Sequence, residues 1–183
     1  MVFKKIFRPV RNVINFIKQK REPKAKLVSK YVEDLKTLLR AHDIKTKIND
    51  FFNEFEKNPK EMSIAIMDFF NYHYLNEEDD VKYAYKDLFG YIINNIKDEK
   101  AADFISSFVD SINRNPLAES NTWKKRLNAF KELILSYNDE DLNKKLYKVF
   151  ADLEESKKYT EYKQHFVDLK NKLYTKLKSL KAP

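Results

Sequence analysis

The chain contains no cysteine. Disulfides, zinc–thiolate sites and cysteine nucleophiles are therefore excluded, and a reducing compartment is a natural home for it. It has a single glycine in 183 residues, where an average chain has about 7%. That scarcity disfavours phosphate-cradling loops and tight β-hairpins, both of which need backbone at positive φ. Long apolar runs are missing too. The longest uncharged stretch in the most apolar region, Phe69 to Asn76, is far short of the ~20 residues that a membrane-spanning helix requires.

What remains is a chain that is 43% hydrophobic and 14% aromatic. That is enough to fill the core of a domain of this length, so the 35% of charged residues does not imply disorder. The charge is unevenly placed. Residues 1–30 hold ten Lys/Arg against one acid, Glu22, and residues 157–183 hold eight lysines against Glu161 and Asp168. With a net charge of +8, ends of +9 and +6 leave −7 for residues 31–156. Basic ends flank an acidic middle, and this asymmetry is the strongest pointer to function in the sequence.

Helical periodicity recurs with little competition from strand patterns. Asn58-Pro59-Lys60-Glu61 supplies an N-cap residue, a proline for the first helical position and an early acid. The run from Met62 to Leu75 is apolar on most faces and predicts a central helix. Asn76, followed by Glu77, Glu78, Asp79 and Asp80, predicts the next start, with acids at the positive end of the helix dipole. Apolar residues spaced three and four apart mark further helices opening at Asp98, near Thr122, at Asn138-Asp139 and near Lys158. Upstream, Leu27, Tyr31, Leu35, Leu38 and Leu39 form one stripe, and Ile44, Ile48, Phe51, Phe52 and Phe55 another. The starts recur about every twenty residues, the length of a four-turn helix and a short loop. The fold class expected is all-α, an antiparallel helical bundle or short α-solenoid of about seven to eight helices. Gly90, within Leu88-Phe89-Gly90-Tyr91, is expected at a close helix contact, since glycine in a helix costs about 1 kcal/mol relative to alanine.

No catalytic or metal-binding motif is present. His42, His73 and His165 stand far apart and lack metal-ligand spacings. Glu161, His165 and Asp168 share one helix face, an arrangement expected of a surface ion-pair cluster worth about 0.2–0.5 kcal/mol. No nucleophile elbow, phosphate loop or dinucleotide fingerprint occurs. The expectation is a non-enzymatic protein with no cofactor, no metal and no small-molecule substrate.

Residues 1–24 are expected to form a basic amphipathic segment preceding an all-helical domain over 25–183. Phe3, Ile6, Phe7, Val10, Ile14 and Ile17 fall on one helical face, while Lys4, Lys5, Arg8, Arg11, Asn15 and Lys18 fall on the other. This is the pattern of a helix lying on an anionic membrane, of a mitochondrial targeting segment, or of a helix docked on protein. Pro9 costs about 3 kcal/mol inside a helix, which favours a helical start at Pro9 itself. At the other end, Lys170, Lys172, Lys176, Lys178 and Lys181 have the charge for phosphate contacts, although lysines near a helix C-terminus are also favoured by the dipole. The leading expectation is a helical accessory subunit of a larger assembly. Its N-terminal segment would contact other subunits or an anionic membrane, with a mitochondrial membrane complex a fitting home. The alternative is a ribosome- or RNA-associated protein that uses both basic ends.

Overall fold

The computed structural model describes residues 24–113, 122–156 and 163–180. These contain eight α-helices and no strand: α1 (24–39), α2 (Ile44–Lys57), α3 (Pro59–Tyr72), α4 (Asp79–Asn95), α5 (Asp98–Asn113), α6 (Thr122–Leu135), α7 (Glu140–Glu155) and α8 (Lys163–Leu180). The all-α expectation holds. A short 3-10 turn, Tyr74–Asn76, follows α3.

Local chemistry explains most of the helix starts. Asp139 caps α7, its side chain accepting from the Leu142 N–H at 2.6 Å, with Glu140 and Asp141 in the first turn. Asn58 takes the N-cap position of α3 through its backbone, since its carbonyl accepts from the Met62 N–H at 3.0 Å. Its side chain does something else, donating to Glu54 Oε1 at 2.8 Å. The start expected at Asn76 lies two residues further on. The Asn76 N–H closes the 3-10 turn onto the His73 carbonyl at 2.9 Å, and Glu78 stands at the N-cap of α4 with Asp79 and Asp80 behind it.

The chain divides into two compact units, residues 1–69 and 70–183. In the first, α1 buries Tyr31, Leu35, Leu38 and Leu39, α2 buries Ile48, Phe52 and Phe55, and α3 buries Met62, Ala65 and Ile66. Tyr31 ties α1 to α2 by donating to Glu54 Oε1 at 3.0 Å. The second unit is built around aromatic rings. Phe108 of α5 lies 5.0 Å from Phe70, 5.5 Å from Phe89 of α4 and 4.9 Å from Phe130 of α6, centroid to centroid. Pairs at such distances contribute about 0.5–1.5 kcal/mol each beyond the area they bury. Helix α8 packs along α7 through Phe166, Leu169 and Leu173, with the Phe166 ring 6.1 Å from that of Phe150 and tilted 38° to it. The stripe loses its cover at the last turn, where Leu180 is 41% exposed.

Candidate interaction surfaces

The eleven N-terminal contact positions, Phe3, Lys4, Lys5, Ile6, Phe7, Arg8, Val10, Arg11, Ile14, Ile17 and Lys18, lie outside the described residues, as do Lys181 and Glu161. The other lysines of the basic C-terminal helix can be placed. They do not form one open row of cations.

Lys170 is ion-paired with Glu154 of α7, and that partner raises it above the ordinary lysine range. Lys172 lies 3.4 Å from Asp168, one turn earlier on α8, and Asp168 also meets Lys131 of α6 at 3.0 Å. Lys178 stands 4.4 Å from the centre of the Tyr174 ring, itself exposed. Lys176 donates to the backbone carbonyls of Leu135, at 2.6 Å, and of Tyr137. Burial and the nearby Lys86 ammonium hold it below the ordinary lysine range. His165, on the same helix, is likewise pushed down by burial and by Lys131, with Asp168 opposing.

The contacts of Lys176 belong to a pattern that spacing along the chain does not reveal. The last carbonyls of an α-helix have no partner within it, and a glycine beyond the end commonly supplies one by adopting positive φ. No residue here has positive φ among those described. Lysines from neighbouring helices supply the donors instead. At the end of α6, Lys86 of α4 donates to the Ser136 carbonyl at 3.0 Å, alongside Lys176. At the end of α4, Lys145 of α7 donates to the carbonyls of Asn94 and Ile96. Each ammonium sits at the negative end of a helix dipole. Part of the lysine content is thus spent on closing helices.

In the first unit an open groove of about 410 Å³ runs between α1 and α3. Ala25 and Val28 face Ile64 across it, and Ile64 is 39% exposed. Lys24 at its edge reaches Glu61 of α3 at 3.9 Å. Asp68 lines the same groove and is raised above the ordinary carboxylate range by burial. Periodicity assigns Ile64 to the central helix and gives no sign that it stands uncovered.

Three buried polar side chains in the second unit are incompletely satisfied: Arg126, Asn71 and Asn143, whose Nδ2 donates to the Tyr137 and Asp139 carbonyls while its Oδ1 accepts nothing among the described residues. Arg126 of α6 is 8% exposed, with Nε and Nη1 lacking a hydrogen-bond partner among the described residues, and its guanidinium lies 5.7 Å from the centre of the Tyr72 ring. Asn71 donates to Ser111 Oγ at 3.1 Å while its Oδ1 accepts nothing. Among the described residues no group of three or more His, Asp or Glu is placed to hold a metal ion, and no helix is long and apolar enough to cross a membrane. Comparison of the chain with protein-family models, with curated proteins and with solved structures finds no match in any of the three.

Proposed function

We propose that this chain is a non-enzymatic helical subunit of a larger assembly, whose basic amphipathic N-terminal segment contacts an anionic membrane, the mitochondrial inner membrane being the best fit to an acid-free amphipathic start. The observation that carries the reading is charge segregation: ten basic residues against a single acid in the first thirty, followed by a net-acidic middle. A cation near an anionic bilayer contributes about 1 kcal/mol, and burial of the apolar stripe adds to that. The C-terminal helix is the weaker candidate for the contact surface, since Lys170 and Lys176 are engaged with Glu154 and with the end of α6. That engagement also weighs against an RNA-binding role for α8, whose exposed cations are Lys163, Lys172 and Lys178.

Flotation of the full chain and of a variant lacking residues 1–21 on cardiolipin-containing vesicles tests the reading. The full chain is expected to float and the shortened one to stay behind. Equal flotation of the two removes the membrane role of the segment. RNA association, the alternative, predicts a log K that falls steeply with log salt, because phosphate contacts release counterions.

A further inference from the structure

We propose that the start of α6 is a docking site for an acidic segment of a partner protein, with a carboxylate of that segment set against the Arg126 guanidinium beside Tyr72. The first observation is the guanidinium itself. Arg126 is more than nine-tenths buried, yet its Nε and Nη1 have no hydrogen-bond partner among the described residues. Buried donors are almost always paired, and an unpaired buried cation is costlier still. The Tyr72 ring, 5.7 Å away, offsets part of the charge through its quadrupole. It accepts no in-plane hydrogen bond, so both donors stay unmet. Because Tyr72 is 47% exposed, the guanidinium lies against a side chain that reaches solvent, and a ligand can approach it there.

The second observation is the helix that carries it. Helices α4, α5 and α7 each begin with two acids: Asp79 and Asp80, Asp98 and Glu99, Glu140 and Asp141. Helix α6 has no acid in its first turn and runs instead through Lys124, Lys125 and Arg126. These cations stand at the positive end of the helix dipole, where they are disfavoured and where an anion is favoured. Lys124 and Lys125 are exposed, so they can draw an anion in while Arg126 holds it. The planar fork of a guanidinium matches a carboxylate.

A protein segment fits better than a lone ion. Trp123 is part-buried and stands three residues before Arg126, on the same face of α6. Tyrosine, tryptophan and arginine are the residue types that most often anchor protein interfaces. Asn71, the residue before Tyr72, keeps a buried acceptor, Oδ1, unpaired. A peptide brings a carboxylate for the arginine and a backbone N–H for the asparagine. The inference rests on the reading of the chain as a subunit of an assembly, and it is independent of membrane contact by residues 1–24.

Fluorescence anisotropy of a labelled Leu-Glu-Glu-Leu peptide and of its Leu-Gln-Gln-Leu counterpart tests this on the full chain. The acidic peptide is expected to bind the parent at least tenfold tighter than the amide peptide. Arg126→Met, its folding checked by circular dichroism, is expected to lose that margin. Arg126→Lys keeps the charge without the fork and is expected to bind at least threefold more weakly than the parent; it decides alone if Arg126→Met does not fold. Equal affinity of parent and variant overturns the proposal, as does an unchanged anisotropy at about 1 mM acidic peptide. Three further results overturn it by naming another occupant. Displacement of the peptide by inorganic phosphate but not by glutarate, at matched ionic strength, assigns the site to a phosphate. Binding that appears only after Glu119→Gln, a change at the one acid between Asn113 and Thr122, assigns it to the chain's own carboxylate. A dimer of the parent that Arg126→Met abolishes, read by sedimentation, assigns it to a second copy. Lost flotation with peptide binding retained removes the membrane role alone, and the reverse removes the docking site alone.

Discussion

The ring of Tyr137 occupies the space that a side chain at Gly90 would need: a Cβ on Gly90 would stand 2.8 Å from Tyr137 Cε1 and 3.2 Å from Leu142 Cδ2. Gly90 is helical and has no positive φ, so its role is close approach, not backbone freedom. The ring cannot swing aside easily, because it is buried and its hydroxyl donates to the Lys86 carbonyl at 2.8 Å. Gly90→Ala gains about 1 kcal/mol of helix propensity and loses about 1–3 kcal/mol to overpacking. The clash wins, and urea unfolding is expected to show a net loss of about 1 kcal/mol. In a Tyr137→Leu background the same change should be neutral or stabilising. A stabilised single Gly90→Ala variant would show that the ring yields.

The pattern of this residue pair also shows how far sequence carries. That Gly90 marks a close packing contact follows from the cost of glycine in a helix, but its partner lies 47 positions away, in the connection between α6 and α7. The same division runs through the molecule. Helix starts at Pro59, Asp98 and Glu140 are legible because their determinants, caps and first-turn acids, lie within four residues. The start at Asp79 is displaced because the 3-10 turn consumes the Asn76 N–H, a choice decided by folding geometry and not by residue type. The two-unit division and the α1–α3 groove leave no mark on the periodicity, since a helix face looks the same in sequence whether a neighbour covers it or stops short.

The lysines that close helices give a sharp contrast between two adjacent turns of α7. Lys145 is largely buried at its side chain, donates to the carbonyls of Asn94 and Ile96, and lies 3.9 Å from Asp98. Lys148 is mostly exposed and pairs with Asp98 at 2.7 Å. Lys145→Met keeps the aliphatic stem and strands two carbonyls, which should cost about 1–2 kcal/mol in urea unfolding. Lys148→Met should cost clearly less, because its ion pair is open to solvent. Equal costs would show that the carbonyl contacts contribute nothing.

Acid should weaken the attachment of α8 to α6. Burial pushes Asp168 up, but Lys131 at 3.0 Å and Lys172 at 3.4 Å outweigh it, and the carboxyl lies below its ordinary value. A carboxyl lowered on folding stabilises the fold above its unfolded pKa of about 3.9, and that contribution is lost as pH falls through the folded value. Asp98, lowered by its hydrogen bond from Lys148, acts with the same sign. Asp168→Asn should therefore be less stable than the parent by about 0.5 kcal/mol at pH 7, and the gap should close as pH falls below the ordinary carboxylate range. Unfolding followed by circular dichroism across this range reads it directly; a gap that persists at low pH would assign the effect to packing.

Arg126 is the residue whose removal should help. Its guanidinium is buried on α6 with Nε and Nη1 unpaired, and the Tyr72 ring at 5.7 Å returns only about 0.5–1 kcal/mol. Burying polar groups without acceptors costs about 1–3 kcal/mol by mutational measures, so the balance is unfavourable to the charge. Methionine has a similar length and adapts to irregular space, filling the volume without the unmet donors. Arg126→Met is expected to raise the free energy of unfolding by about 1 kcal/mol, while Arg126→Ala, which opens a cavity, is expected to lower it by about 1–3 kcal/mol. The opposite signs separate charge from volume. If Arg126→Met falls as far as Arg126→Ala, the guanidinium is holding an anion in solution, and the search for a partner of this face should start with acidic groups.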